Sequence, residues 1–275
     1  MFDVLGDFTE RATQIELTLP EASIEREIYR RIIDNIDAKE VWSLQDRYRA
    51  KLDHFISGDP TVDRGGPEKY FDIPLFISER VRAVLGLGLL NVPPMSILDI
   101  GVGPGHFAAI CNALGHQTLG IDIETEYYAH LCLALGVERK ICPVFRLERL
   151  PDFGKKFDLV TAIWICFDQL GEDARGHRIY WSLKDWRYLL QELFFNHISE
   201  NGEIYFILNP QVNKVDPNQF DGDLLDAMEG VGAEVDRTIG SIRLKKGVFE
   251  KSRWSQKYPS IESLEFKPGT LLKSP

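Results

Sequence analysis

The chain has 275 residues, of which 44% are hydrophobic and 27% are charged, a composition typical of a folded globular protein rather than a disordered or fibrous one. Acidic residues outnumber basic residues by 42 to 32, so the net charge of −10 disfavours polyanionic partners such as duplex DNA or RNA. No run approaches the roughly 20 apolar residues that span a bilayer, and residues 1–10 lack a signal-peptide pattern; we therefore expect a cytoplasmic protein that does not bind membranes.

The first part of the chain has the periodicity of amphipathic helices. Two helices are predicted over residues 21–56, because apolar side chains recur there every three or four residues. These side chains are Ile24, Ile28, Ile32, Ile36, Val41, Leu44, Tyr48, Leu52 and Phe55. Residues 57–74 are rich in Gly, Pro and Asp and are predicted to form a long loop, which a third helix over 75–90 follows. We expect residues 1–94 to form a helical cap.

From Met95 onward, short β-rich runs alternate with helical patterns, which indicates a mostly parallel sheet with crossover helices. The predicted strands are Ser96–Ile100, Thr118–Ile123, Ile141–Phe145, Phe157–Trp164, Glu203–Leu208, Glu234–Ile239 and Val248–Trp254. The predicted helices are Gly105–Leu114, Glu126–Leu135, Asp185–Ile198 and Leu224–Val231. The last two strands are too close in sequence for a crossover helix and should form an antiparallel hairpin. The core domain therefore covers residues 95–255, and residues 256–275 form a tail without a predicted element.

The most informative segment joins the first strand to the following helix. Gly101, Gly103 and Gly105 alternate directly after the strand, where a tight turn and a close ligand require backbone without a Cβ. The free amide groups at the start of the helix then face the ligand. Asp122 ends the second strand, seventeen residues after Gly105, where a carboxylate can accept hydrogen bonds from both ribose hydroxyls. Together these features predict a nucleoside site.

A dinucleotide site is the first alternative, but its G-x-G-x-x-G fingerprint requires glycine at position 106, where this chain has His106. The spacing G-x-G-x-G, with Asp99 two residues before the first glycine, resembles that of the class I S-adenosylmethionine-dependent methyltransferases. The resemblance extends to Phe157–Ala162, which is similar to the fourth-strand motif of that family. It also includes His197–Ile204, which is similar to the turn into the fifth strand.

This resemblance implies an α/β, Rossmann-like fold with a seven-stranded sheet of order 3-2-1-4-5-7-6. It also implies S-adenosyl-L-methionine as the cofactor. By analogy with the family, Asp99 helps to hold the methionine end, Gly101, Gly103 and Gly105 pass beneath the cofactor, and Asp122 binds the ribose. We expect the ligand outside the carboxyl ends of the strands, with the helical cap closing over it.

The adenine end departs from the family pattern. Where many members carry an acidic residue after the third strand, this chain has Arg146. Adenine contacts are therefore predicted from the backbone of Leu147, with Glu148 as an alternative. Ile123, directly after the second strand, and Ile163, near the end of the fourth, complete the predicted cofactor-binding set.

The acceptor side is predicted from the segment after the fourth strand, where the family places acceptor-binding groups. Asp168 and His177 are the candidates for a catalytic base; the alternatives are a helix cap or solvated carboxylate for Asp168 and a surface histidine for His177. Tyr70 and Phe71, at the end of the long loop, are the aromatic residues expected to cover the cofactor. His106 could approach the site or pack beside it.

The four cysteines form no C-x-x-C pair and lie within apolar runs, so we expect reduced thiols in the core and no metal site. They are Cys111, Cys132, Cys142 and Cys166.

The expected function is methyl transfer from S-adenosylmethionine to a small-molecule acceptor, at oxygen on a sugar or another metabolite. The Asn or Asp-Pro-Pro-aromatic motif of amino-methylating nucleic-acid enzymes is missing after the fourth strand. Methylation of a protein or RNA is the second hypothesis, and a non-catalytic S-adenosylmethionine-binding protein is the third. The sequence leaves the acceptor and the oligomeric state open.

Overall fold

The computed structural model describes residues 7–56, 67–173, 178–211 and 220–256. The N-terminal part contains five α-helices within these ranges: α1 Phe8–Thr18, α2 Ile24–Ile33, α3 Ala38–Arg47, α4 Arg49–Ile56 and α5 Ile73–Gly86. Short 3-10 turns at Pro67–Phe71 and Leu89–Asn91 flank α5. Of the predicted loop 57–74, residues 57–66 lie outside the described ranges.

The N-terminal helices differ from the sequence prediction in number. The second periodic segment is divided at Tyr48 into α3 and α4, so residues 21–56 form three helices instead of two. The sequence analysis also missed α1, whose apolar residues are few and whose first turn is held by an N-cap at Asp7. Helices α2 and α5 begin in the same way, because the side chains of Ser23 and Asp72 accept backbone amide hydrogen bonds.

The rest of the chain alternates strands and helices. The strands are β1 Ser96–Ile100, β2 Gln117–Asp122, β3 Glu138–Ile141, β4 Phe157–Ile165, β5 Gln169–Glu172, β6 Arg178–Tyr180, β7 Ile198–Leu208, β8 Glu234–Asp236 and β9 Ser241–Lys245. The helices are α6 His106–Ala113, α7 Glu126–Ala134, α8 Leu183–Glu192, α9 Gly222–Val231 and α10 Lys246–Phe249. A π-helical turn, Leu193–His197, joins α8 to β7.

Seven of these strands form one sheet of order β3-β2-β1-β4-β7-β9-β8, in which β9 pairs antiparallel with both neighbours and the other pairs are parallel. Strands β5 and β6 form a separate two-stranded hairpin. The strand numbers differ from the predicted order because this hairpin intervenes in the chain. When only the strands of the large sheet are numbered, the order is 3-2-1-4-5-7-6, and the predicted fold class is confirmed.

Two predicted strands were misplaced. The third lies at Glu138–Ile141 rather than Ile141–Phe145, and the last lies at Ser241–Lys245, whereas Val248–Trp254 was predicted. The segment taken for a connection is therefore the strand itself, with Ile242 and Leu244 buried on one face. Its central Arg243 forms an ion pair with Glu203 on β7. The sequence of this short segment, which contains several polar residues, does not identify that partner on a distant strand.

The sheet is covered by apolar side chains on both faces. Because side chains alternate along a strand, Leu98 and Ile100 of β1 face the cluster formed with α8 and α9, and Ile97 faces the opposite cluster. That second cluster includes the N-terminal helices, with Ile77 and Val81 of α5 fully buried. The N-terminal helices therefore share a hydrophobic core with the sheet.

Among the described residues, no helix combines the length and the apolar character needed to cross a bilayer. The assignment of residues 1–94 as a cap, 95–255 as a core and 256–275 as a tail stays a prediction, and 257–275 lie outside the described ranges.

Candidate functional site at the carboxyl ends of the strands

A cleft of about 300 Å³ opens where β1, β2 and β4 end. The strand order reverses between β1 and β4, which is the position where open α/β sheets bind ligands. The lining residues come from the glycine loop, the ends of these strands and the residues that follow them, the turn Pro67–Phe71, α5, α6 and α7. They are Tyr70, Arg80, Asp99, Gly101, Val102, Gly103, Pro104, His106, Phe107, Asp122, Ile123, Tyr128, Ile163, Trp164, Cys166 and Phe167.

The glycine loop follows β1 as predicted, and its three glycines all have positive φ: +71° at Gly101, +54° at Gly103 and +88° at Gly105. A Cβ on Gly103 would meet only the Gly101 carbonyl oxygen, at 3.9 Å, so this position is open. A Cβ on Gly105 would instead lie 3.0 Å from the Cys132 sulfur, and Gly105 is not among the cleft-lining residues. Gly105 is therefore placed for packing beneath the loop, whereas Gly101 and Gly103 face the cleft.

Asp122 holds the glycine loop against the end of β2. Its Oδ2 atom accepts a hydrogen bond from the Gly103 amide at 2.6 Å, and its Oδ1 atom accepts one from the Ile123 amide at 2.7 Å. Burial raises the pKa of Asp122, and the two amide hydrogen bonds oppose that shift. The structure thus places Gly103, Asp122 and Ile123 together on one wall of the cleft.

Asp99, the penultimate residue of β1, lines the cleft, with 3% of its surface exposed. The Thr161 hydroxyl on β4 donates a 2.7 Å hydrogen bond to its Oδ1 atom. Burial raises the pKa of Asp99 to about 7, against the opposing effects of the Thr161 hydrogen bond and of Arg80. A carboxyl in this state can bind a cation at neutral pH.

The end of β4 is irregular where it meets the cleft. Ile163 and Trp164 line the cleft, and the pairing with β7 shifts register between Ile163 and Ile165. Trp164 has a φ of +53°, a strained conformation for a bulky residue. Asn209, which follows β7, donates its side-chain amide to the Trp164 carbonyl oxygen at 2.9 Å. This amide therefore helps to hold the bulge that directs Trp164 to the cleft.

Two expectations about individual residues are corrected at this end of the cleft. Cys166 is exposed and lines the cleft, so it is not a core thiol. Phe71 does not cover the site, because it is 1% exposed and packs against Tyr48 and Tyr127. Its neighbour Tyr70 does line the cleft, as predicted.

Of the two predicted catalytic residues, only Asp168 lies within the described ranges. Asp168 is partly buried and directly follows the cleft residue Phe167, but it is not itself among the lining residues. Its backbone carbonyl accepts a 2.8 Å hydrogen bond from the Trp181 amide, and burial raises the pKa of its carboxyl to about 6. His177 lies outside the described residues. Their roles stay predictions.

The adenine end of the predicted site is less complete. Leu147 has a φ of +59° but does not line the cleft. The Arg146 guanidinium is directed to Asp185, at 3.1 Å, and Asp185 also caps α8. Arg146 therefore takes part in a structural ion pair, and the adenine contact at Leu147 stays a prediction.

Helices α5 and α7 also contribute to the cleft, which the sequence did not predict. Arg80 and Tyr128 line it, although neither belongs to a motif. One sequence feature could have drawn attention to Arg80. It lies four residues after Phe76, and this spacing places a cation beside an aromatic ring on one helix face.

No protein-family model matches this chain, and no curated protein matches it. Solved structures give partial similarity. A ribosomal protein L11 methylase from Lactobacillus delbrueckii subsp. bulgaricus is 20% identical, with a TM-score of 0.36, covering 60% of this chain and 76% of that one. A possible histamine N-methyltransferase from Thermotoga maritima is 18% identical, with a TM-score of 0.32, covering 60% of each chain.

A third structure is phosphoethanolamine N-methyltransferase 1 from Haemonchus contortus, in complex with phosphoethanolamine and S-adenosylhomocysteine. It is 13% identical, with a TM-score of 0.42, covering 72% of this chain and 42% of that one. The fold assignment rests on the sheet order, the single antiparallel strand β9 within it and the glycine loop after β1. By these features the chain has the fold of the class I S-adenosylmethionine-dependent methyltransferases.

Proposed function

We propose that this protein transfers a methyl group from S-adenosylmethionine to a small-molecule acceptor, at an oxygen atom. One observation carries the proposal: Asp99 and Gly103, from β1 and the loop that follows it, meet Asp122, from the end of β2, in one cleft at the strand ends. The glycine loop and Asp122 have the spacing of a nucleoside site, and the resemblance to the family implies that Asp99 helps to hold the methionine end of the cofactor. A dinucleotide is disfavoured, because buried His106 occupies the position of the third glycine in that fingerprint.

Each lining residue has a role in this proposal. The Asp122 carboxylate accepts hydrogen bonds from the ribose hydroxyls, and exposed Ile123 lies beside the adenine. The open position at Gly103, beside Gly101 in the cleft lining, lets the ligand approach the backbone closely. Asp99 faces the ammonium group of the methionine end. The adenine contact at Leu147 is part of the proposal, although Leu147 lies beyond the cleft lining.

The acceptor is expected against the aromatic side chains that line the cleft. Trp164, Phe167 and Tyr70 are aromatic residues of the cleft lining, and aromatic walls bind small organic molecules and exclude water. The net charge of −10 supports a small acceptor over a nucleic acid. We assign oxygen as the methylated atom because a carboxylate such as Asp168 can accept the proton that an acceptor hydroxyl loses.

When bound, S-adenosylmethionine supplies a methyl group that its sulfonium already activates. The chain then has to hold the acceptor in line with that group and exclude water, and such positioning is worth on the order of 10⁵ to 10⁸ M in effective concentration. A base adds to this only for an acceptor hydroxyl that stays protonated near neutral pH. Asp168 is the first candidate for that base, and His177 is the second.

Calorimetric titration tests the cofactor. S-adenosylmethionine and S-adenosylhomocysteine should bind, and NADH should not. The Asp122→Ala variant should weaken both by about 10- to 100-fold, because a hydrogen bond to a charged group contributes roughly 1.5 to 3 kcal/mol. Glu124→Ala, which removes a nearby exposed carboxylate that does not line the cleft, is the control. Binding of NADH alone would contradict the assignment.

The acceptor requires a second experiment. The protein is incubated with S-adenosylmethionine and a metabolite extract, and mass spectrometry searches for a species that gains one methyl group. Methylation of a small molecule supports the proposal. Label transferred only to protein or RNA would support the second hypothesis, and tight cofactor binding without any methylated product would indicate a non-catalytic binding protein.

A further inference from the structure

The cleft contains a buried cation without a close carboxylate partner. Arg80, on α5, has a side chain that is 14% exposed, and its guanidinium carbon lies 3.8 Å from the centre of the Trp164 ring. Within the described ranges its nearest ion-pair contact is Glu79, at 3.6 Å, beyond hydrogen-bond distance and with a side chain that is 48% exposed. Burial lowers the pKa of Arg80, which indicates that its charge is poorly solvated. A buried guanidinium in this state favours an anionic ligand group.

A second polar group in the same cleft has one unpartnered atom, although its ring is also hydrogen-bonded to the Tyr70 backbone. The imidazole of His106 is 3% exposed and stacks on Phe76, with ring centroids 5.3 Å apart. Its Nε2 atom has no hydrogen-bond partner among the described residues. Burial and the nearby Arg80 charge lower the pKa of His106 to about 3, so the ring is neutral at physiological pH. Because the other ring nitrogen donates to the Tyr70 backbone, the neutral ring leaves Nε2 as a hydrogen-bond acceptor.

Asp99 lines the same cleft as these groups and is electrostatically coupled to Arg80. The cleft therefore combines a cation, an anion and an unpartnered imidazole nitrogen. A carboxylate alone would complement Arg80 and repel Asp99, whereas an ammonium alone would do the reverse. An α-amino acid group carries both charges on one carbon and can satisfy both side chains.

We propose that Arg80, supplied by the N-terminal helices, binds the α-carboxylate of the cofactor's amino-acid end, while Asp99 faces the ammonium and His106 takes a remaining hydrogen bond. This inference rests on the proposed function, because it names the residues that recognise one part of the proposed cofactor. Stacking on Trp164 holds the guanidinium in place before the ligand arrives. Full cofactor affinity thus requires α5, which lies before the glycine loop in the chain.

A ligand series tests the proposal on the unaltered protein. S-adenosylhomocysteine is compared by calorimetry with its decarboxylated analogue and with 5′-methylthioadenosine, which lacks the amino-acid group. Removal of the carboxylate should weaken binding by about 10- to 100-fold, as expected for a charge-assisted hydrogen bond. Equal affinity for S-adenosylhomocysteine and the decarboxylated analogue would overturn the proposal, while still supporting the nucleoside site.

Variants then assign the effect to Arg80. Arg80→Met should reduce the affinity for S-adenosylhomocysteine by the same factor and leave that for 5′-methylthioadenosine unchanged. Arg82→Met, an exposed arginine of the same helix, is the matched control and should change neither. Arg80→Lys, which keeps the charge, should recover part of the affinity if the first variant is poorly folded.

Three results would overturn the assignment. Equal weakening of both ligands by Arg80→Met would show a structural effect on the cleft. Unchanged S-adenosylhomocysteine affinity with a raised KM for an anionic acceptor would place the carboxylate on the acceptor instead. Failure of the unaltered protein to bind S-adenosylhomocysteine would refute the proposed function as well.

Discussion

Individual carboxylates in the cleft differ in what surrounds them. Asp122 accepts two backbone amide hydrogen bonds, whereas Asp99 has one hydroxyl donor and almost no exposed surface. Desolvation therefore has the larger net effect on Asp99, and its pKa is raised to about 7. A group that titrates near neutral pH makes ligand binding dependent on pH.

The affinity for S-adenosylhomocysteine should fall as the pH decreases below about 7, because protonation removes the Asp99 charge that faces the ligand's ammonium. His106, with a pKa lowered to about 3, stays neutral over this range and does not contribute. Calorimetry between about pH 5.5 and 8 measures the effect. In Asp99→Asn the affinity should be weaker above neutral pH and nearly independent of pH; an unchanged profile would remove Asp99 from the site.

The same protonation has the opposite effect on the protein without ligand. The pKa of Asp99 is higher in the folded state than its ordinary value of 3.8, so folded protein binds more protons between that value and about 7. Stability in the absence of ligand should therefore rise as the pH falls through this window, and Asp168, with a pKa raised to about 6, adds in the same direction.

Asp168 provides a separate residue-scale prediction for catalysis. If it is the base, Asp168→Asn should lower kcat by about 10² to 10⁴ and leave S-adenosylhomocysteine affinity nearly unchanged. Turnover by the unaltered protein should rise with pH through about 6, where its carboxyl ionises. His177→Ala serves as the comparison. Near-normal turnover in both variants at every pH would show that positioning alone accounts for the rate.

At the scale of elements, a substitution in the glycine loop can remove cofactor binding while the protein still folds. Gly103→Val should abolish cofactor binding, because its Cβ opens into the cleft and the branched side chain would occupy the ligand's space. Gly136→Val is the matched control, since Gly136 has a similar positive φ of +65° and no neighbouring atom within 4 Å of its Cβ. Both variants carry a strained left-handed residue, which costs roughly 1 to 3 kcal/mol.

Calorimetry and thermal unfolding distinguish the two effects. Loss of binding in Gly103→Val with an unfolding midpoint close to that of Gly136→Val is the expected result. Retained affinity in a folded Gly103→Val protein would show that the ligand does not pass over this loop.

The elements that the sequence predicted well are those with a local pattern. The β1 strand, the glycine loop and the end of β2 were recognised because glycine spacing and an acidic residue lie within one short segment. The strand at Ser241–Lys245 was missed, because its pairing with β7 depends on residues about forty positions away. Arg80 was missed for a similar reason: its position over Trp164 follows from tertiary packing, and no local motif marks it.

At the scale of the whole molecule, the N-terminal helices and the sheet should unfold together. Phe71, Ile73, Ile77, Val81 and Val84 are each at most 1% exposed, and they belong to the same core cluster as Ile97 and Phe107. Burial of one such side chain contributes roughly 1.5 to 3 kcal/mol, so these five together rival the total stability of about 5 to 15 kcal/mol of a typical domain. Arg11 on α1 adds a buried ion pair with Asp72, at 2.5 Å.

Deleting residues 1–94 should therefore yield a chain that aggregates or lacks a cooperative unfolding transition, rather than an isolated cofactor-binding core. Val84→Ala is the milder test: it should lower stability by roughly 1 to 3 kcal/mol, since a buried side chain is shortened on α5. Far-ultraviolet circular dichroism and tryptophan fluorescence should report one coincident transition, because Trp42 lies on α3 and Trp186 packs against the other face of the sheet. Two separated transitions would show that the N-terminal helices fold independently of the sheet. A truncated protein that unfolds cooperatively and binds S-adenosylhomocysteine with full affinity would show, in addition, that Arg80 is not needed for the cofactor.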